Sequence, residues 1–171
     1  MIDVSTEIDI NCSKAKVAEY SANPDNAPKW YVNIKAAKWK TPKPLQVGSQ
    51  IVFKAKFLGK LLVYIYEISE YAAEQKMVMK TIIGPFPMET IYTWKSIDGN
   101  ITRMSLQSKG NPGGLSKLLT PLLSFAIKKA NNKDLQRLKE IIEKECHVPL
   151  VSGAQSPGET TDRLHKIISN R

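Results

Sequence analysis

Residues 115–146 read LSKLLTPLLSFAIKKANNKDLQRLKEIIEKEC. Leu115, Leu118, Leu119, Leu122, Leu123, Ala126, Ile127, Ala130, Leu135, Leu138, Ile141 and Ile142 recur there at helical spacing. Lys117, Lys128, Lys129, Lys133, Arg137, Lys139 and Lys144 fill most of the other face. Thr120-Pro121 suits an N-cap and first helical position, or else a kink. The spacing predicts a main helix from near Pro121 to Cys146, roughly 37 Å long at ~1.5 Å per residue, with a shorter turn of helix before it. So long an apolar stripe needs a partner surface, and the segment before it offers only one kind, a sheet.

Gly110-Asn111-Pro112-Gly113-Gly114 breaks the helical pattern on its N-terminal side, and upstream of it the period is two. Ile101–Ser108 carries Thr102, Met104 and Leu106 on one side, behind a two-residue hairpin signal at Asp98-Gly99 or Gly99-Asn100. Met88, Thr90, Tyr92 and Trp94 alternate with Glu89, Ile91, Thr93 and Lys95. Met77, Met79, Thr81 and Ile83 alternate with Lys76, Val78, Lys80 and Ile82. Ile51, Phe53, Ala55 and Phe57 share a face and lead through a Gly59-Lys60 turn into Leu61–Ile68. That return strand is apolar on both sides, which places it near the middle of the sheet with something covering each face. The alternation begins at about Asn33, so six consecutive strands with short connections predict an antiparallel meander.

Residues 3–10 alternate as a further half-buried strand, and Ser13 can cap a short helix to about Ala22, with Val17 and Tyr20 facing inward. Asn23-Pro24-Asp25-Asn26-Ala27-Pro28 is punctuation, with room for one short helix started by a proline, before Trp30 and Tyr31. Beyond the long helix, residues 147–171 turn small, polar and Pro/Gly-containing, and are expected to form a C-terminal tail, mobile or loosely docked. The predicted class is therefore α+β, with about seven strands in the order β-α-α-β6-α over residues 1–146.

The chain of 171 residues carries a net charge of +9, unevenly placed. Between Asp25 and Glu67 no acid occurs, yet Lys29, Lys35, Lys38, Lys40, Lys43, Lys54, Lys56 and Lys60 do. Such a run either lies solvated on the outer face of a sheet or favours peripheral contact with an anionic membrane or RNA. Only four arginines are present, which counts against a dedicated nucleic-acid surface. The opening MIDVSTEIDI is acidic and alternating, unlike a targeting peptide, and no apolar run approaches the ~20 residues of a bilayer span. Cys12 and Cys146 are too few for a disulfide framework, and with two histidines too few for a zinc site. A reducing, cytoplasmic setting is the reading, with no metal and no cofactor called for.

The element order resembles the helix-grip arrangement of the SRPBCC, or START-like, superfamily of polyketide cyclase/dehydrase and lipid-transport proteins. The resemblance is carried by residues 23–31 (NPDNAPKWY), 44–49 (PLQVGS), 57–60 (FLGK) and 84–90 (GPFPMET), together with the C-terminal helix. It covers about residues 1–146. It implies a curved antiparallel sheet wrapped around the long C-terminal helix and an apolar cavity between them, the alternative being an interior filled by its own side chains. The candidates to line the cavity are Phe53, Tyr64, Tyr66, Met79, Met88, Thr90, Tyr92, Met104, Leu119, Leu122 and Leu123, with Trp30 and Tyr31 near the mouth. The methionines would let such a wall adapt to its ligand.

Catalytic constellations are thin. Both histidines, His147 and His165, lie outside the candidate cavity, and no serine sits in a nucleophile elbow. Glu89 and Arg103 have outward parity. Glu67 is either a buried acid or the partner of a lysine on the next strand, and Tyr64, Tyr66 and Tyr92 offer hydroxyls or simple packing. The expectation is a monomer or weak dimer that binds or transports a hydrophobic small molecule: a lipid, an isoprenoid or a polyketide-like ring. The alternatives are a cyclase, aromatase or dehydratase, and an anionic-surface docking module using the lysine-rich 29–60 segment.

Overall fold

The computed structural model describes residues 1–57, 59–111, 113 and 120–147. Strand β1 (Ile2–Ile10) is followed by helix α1 (Lys14–Ala22), a 3-10 turn (Pro24–Asn26) and the one-turn helix α2 (Ala27–Trp30). Strands β2 (Ile34–Trp39), β3 (Gln50–Phe57), β4 (Lys60–Ala72), β5 (Lys76–Ile83), β6 (Met88–Asp98) and β7 (Ile101–Gly110) then lead to helix α3 (Thr120–His147). All seven strands form one antiparallel sheet in the order β1-β7-β6-β5-β4-β3-β2. The sheet curls into a half-barrel around α3, the helix-grip α+β fold.

The period-two pattern translates directly into faces. Ile51 and Phe53 on β3, Tyr64, Tyr66 and Ile68 on β4, Met77 and Met79 on β5, Tyr92 and Trp94 on β6, and Met104 and Leu106 on β7 form one buried cluster. It is closed by Trp30 and by Leu135, Leu138 and Ile142 of α3. Lys60 already pairs with Phe57, so it belongs to the strand, and Gly59 in the turn takes a positive φ of 80°. Asp98 pairs with Ile101, which leaves Gly99-Asn100 as the other hairpin turn. The Asn23–Pro28 segment holds two short helical pieces, the first opened by Asn23 Oδ1 accepting from the Asp25 N–H at 3.0 Å.

Three features depart from the sequence reading. First, α3 buries Ile127, Asn131, Asp134, Leu135, Leu138 and Ile142, whereas Leu122 and Phe125 are 65% and 66% exposed. At ~100° per residue Leu122 stands ~140° and Phe125 ~200° round the helix from Ile127, off the packed seam. Second, β4 is covered on one face only. Leu61 and Val63 are exposed, because α3 fills the concave side and no described residue packs over the convex one. Third, Cys12 and Cys146 are joined in a disulfide with their Cα atoms 6.0 Å apart. The pair is no framework, but it ties the end of β1 to the end of α3. Lys139 Nζ donating to the Asp9 carbonyl (2.8 Å) and the Asn11 N–H donating to Glu143 Oε1 (2.7 Å) reinforce the same junction. The turn of helix expected before Pro121 and the expected tail from 148 onward lie outside the described residues. No described helix is long and apolar enough to cross a membrane.

Candidate functional site

Between the concave face of the sheet and the middle of α3 lies a cavity of about 150 Å³ that opens to solvent. Its wall is mostly apolar. Phe53 and Ala55 come from β3, Tyr64 and Tyr66 from β4, Met79 from β5, and Met88 and Thr90 from β6. Tyr31, Asn33 and Ile34 enter from the α2–β2 junction, Phe86 from the β5–β6 connection and Ser108 from β7. Helix α3 contributes Ile127, Ala130, Asn131 and Asp134. Gly84 leaves room for the Tyr64 ring, since a Cβ there would stand 2.9 Å from Cδ1 of Tyr64.

Of the residues expected to line the cavity, the fold brings together Tyr31, Phe53, Tyr64, Tyr66, Met79, Met88 and Thr90. Trp30 is fully buried behind the wall, its ring stacked on Tyr31 with centroids 3.8 Å apart. Tyr92 also lies behind the wall, its hydroxyl 2.5 Å from that of Tyr31, and Met104 is sealed in the core. Leu122 is exposed, and Leu123 packs on Ile2, Val4 and Ile127 at the edge of the sheet. Leu119 lies outside the described residues. Glu67 does not reach the cavity: with Tyr64, Tyr66 and Ile68 turned inward it faces out, accepting from Gln50 Nε2 at 2.8 Å. Glu89 pairs with Lys80 (3.2 Å) and Lys109 (3.8 Å), and Arg103 grips Asp9 with two bonds of 2.7 and 2.8 Å, all on the outer face.

Sequence reasoning missed the polar part of the wall. Asn131 and Asp134 are both buried, on the seam that Ile127 and Leu138 define. The signal was polar residues at seam positions i+4 and i+7 from Ile127, where an ordinary packed helix carries leucine. Asn131 Nδ2 donates to Ser108 Oγ at 3.2 Å. The Val32 N–H donates to Asp134 Oδ1 at 2.8 Å. Burial pushes the Asp134 carboxyl up to about 6, against smaller opposing effects from that N–H and from Arg137. Burial likewise raises the hydroxyls of Tyr31, Tyr66, Tyr92 and Tyr64, so the tyrosines stay neutral donors and acceptors. The site can therefore hold an apolar body and meet one polar group at the helix, with a single acid that titrates near neutrality.

A sheet gripping a helix over an apolar, solvent-connected cavity defines a START-like protein. The family model described as polyketide cyclase/dehydrase and lipid transport matches residues 1–143, and the chain belongs to that family. Among solved structures, a protein of Thermus thermophilus superposes with a TM-score of 0.73 at 16% identity, over 84% of this chain and 98% of that one. The Zhui aromatase/cyclase from Streptomyces gives 0.71 at 11% identity, over 84% and 94%. A START superfamily protein of Mycobacterium smegmatis gives 0.64 at 15%, over 84% and 96%. These likenesses concern the fold. No curated protein matches the sequence.

Proposed function

We propose that the chain binds or carries a hydrophobic small molecule (a lipid, an isoprenoid or a polyketide-like ring) in the cavity between the sheet and α3. The observation that carries this reading is an open cavity of about 150 Å³ with an apolar wall, between the sheet and α3 where a core would otherwise be solid. An engineered cavity of about that size holds benzene, so the described wall fits a single ring or the end of a chain. Met79 and Met88 give it room to adapt. Native mass spectrometry and solvent extraction of the purified chain test the reading. A bound or exchangeable hydrophobe is expected, and a protein that neither carries nor takes up any overturns it.

A second reading, a cyclase, aromatase or dehydratase, is favoured by Asp134, an acid near neutrality facing a site where a carbonyl or hydroxyl would sit. It requires Asp134→Asn to abolish turnover of ring-forming substrates while leaving their binding intact. Docking on an anionic membrane would use the convex face, where Lys54 and Lys56 stand beside Val63 and Leu61, and Lys38 beside Val52. The cytoplasmic setting stands against the Cys12–Cys146 bond, because reducing compartments keep such pairs as thiols. Alkylation of free thiols in protein taken directly from cells separates the two.

A further inference from the structure

The cavity has a chemical sign as well as a shape. Asp134 is 3% exposed and lines it, with one carboxylate oxygen taken by the Val32 N–H and no ion-pair partner among the described residues. No lysine, arginine or histidine among the described residues lines the cavity. Arg137, the one guanidinium acting on Asp134, is itself exposed, one helical turn further on. Asn131, which gives one of its two amide N–H groups to Ser108, adds a carbonyl acceptor to the wall. Around these acceptors stand five aromatic rings: Tyr31, Phe53, Tyr64, Tyr66 and Phe86. A buried anion without a counter-cation is costly, and aromatic faces attract positive charge and repel negative. These groups together complement a cation with an apolar body.

We propose that the site selects small organic amines, with the ammonium group held by Asp134 beside Tyr31 and a single ring or short chain seated among Phe53, Met79 and Phe86. This rests on the cavity being a ligand site and names the head group it takes. A fatty acid or other carboxylate is excluded by the same residues, since it would put two like charges in one apolar space. A neutral alcohol can donate to Asp134 but leaves its charge uncompensated. The net charge of +9 does not oppose the selection, because no described lysine lines the cavity and charges in solvent are screened within a Debye length of about 8 Å at physiological salt.

Isothermal titration of the full chain with phenethylamine, 2-phenylethanol and 3-phenylpropanoate tests the proposal. At about pH 7.5 the amine is expected to bind at least about tenfold tighter than the alcohol, and the carboxylate weakest. Asp134→Asn should bring the amine down to the level of the alcohol and leave the alcohol unchanged. The unmodified chain supplies a second readout. Lowering the pH to about 5 protonates Asp134 and should shrink the amine preference about tenfold. Over that range Tyr31 and Tyr92, which act on Asp134 from the α2–β2 junction and β6, stay neutral and Arg137 stays charged. An alcohol or carboxylate that binds as well as the amine, or an amine preference indifferent to pH, overturns the amine assignment and leaves the cavity as a hydrophobe site. If none of the three binds and no hydrophobe can be extracted, the cavity reading falls as well.

Discussion

Replacing Asp134 by asparagine should stabilise the protein at neutral pH, and the gain should vanish in acid. The carboxyl titrates near 3.8 when unhindered and at about 6 in the fold, because burial on the seam of α3 disfavours its charged form. The folded state therefore holds the Asp134 proton more tightly than the unfolded chain does. Its contribution to stability is best below the unfolded value and is lost as pH rises through about 6. Above that the penalty is complete. A displacement of about two units corresponds to about 3 kcal/mol. For a chain of this size that is roughly 6–12 °C in Tm at ~2–4 °C per kcal/mol. Asparagine is nearly isosteric and its Oδ1 can still accept from Val32, so the substitution removes the charge and little else. Urea denaturation of both proteins at intervals between about pH 4 and 8 reads the difference directly. Asp9 and Asp25, whose carboxyls are held below their ordinary range by Arg103 and Lys43, give the opposite pH slope. They are common to both proteins and cancel in the comparison. A constant gap across the range, or a variant less stable at pH 8, would refute the assignment of the buried charge.

Three other outcomes follow from named contacts. Reducing the Cys12–Cys146 bond, or changing Cys146→Ser, opens a link across 134 residues, worth about 5 kcal/mol by chain entropy. Denaturant midpoints with and without reductant measure it, and no difference would mean that the bond does not form in solution. Gly84→Ala places a methyl 2.9 Å from the Tyr64 ring and should drive that ring into the cavity, costing about 1–3 kcal/mol and weakening uptake of a single-ring ligand several-fold. Titration of the same ligand into both proteins checks it, and unchanged affinity would remove Tyr64 from the wall. Lys38→Glu, Lys54→Glu and Lys56→Glu together should abolish salt-sensitive sedimentation with anionic vesicles while leaving ligand binding in the cavity intact. An unmodified chain that ignores such vesicles at low salt would dispose of the docking surface.

The strand faces were legible because parity is a local property: one residue's side of a sheet fixes the next. Parity sets Phe53, Met79, Met88 and Thr90 on one face, whereas the strand of Tyr64 and Tyr66 reads as apolar on both sides and the cavity itself is implied by the helix-grip resemblance. What parity does not give is depth. Tyr92 and Met104 share the inward face but sit where α1, α2 and α3 close over the sheet, so they are core and not wall. The helix was harder, because hydrophobic periodicity counts apolar residues and passes over Asn131 and Asp134, the two that make the site polar. It also counted Leu122, whose angle puts it off the seam. The disulfide was not legible at all, since nothing local relates Cys12 to a residue 134 positions away.

The division of labour along α3 explains how one helix can close a core and still leave a cavity. Its C-terminal half carries Leu135, Leu138 and Ile142, which exclude water almost completely, and is fastened to β1 by the Lys139 and Glu143 bonds and by Cys146. Its middle turns carry Ala130, Asn131 and Asp134, small or polar groups that cannot fill the space over Tyr66 and Met79. A leucine at 131 or 134 would add apolar contact and relieve an unpaired charge, so the present residues lower stability relative to what the seam allows. Such a cost, borne in the middle of the helix and offset by fastenings at its far end, is what the proposed binding role would require of this seam.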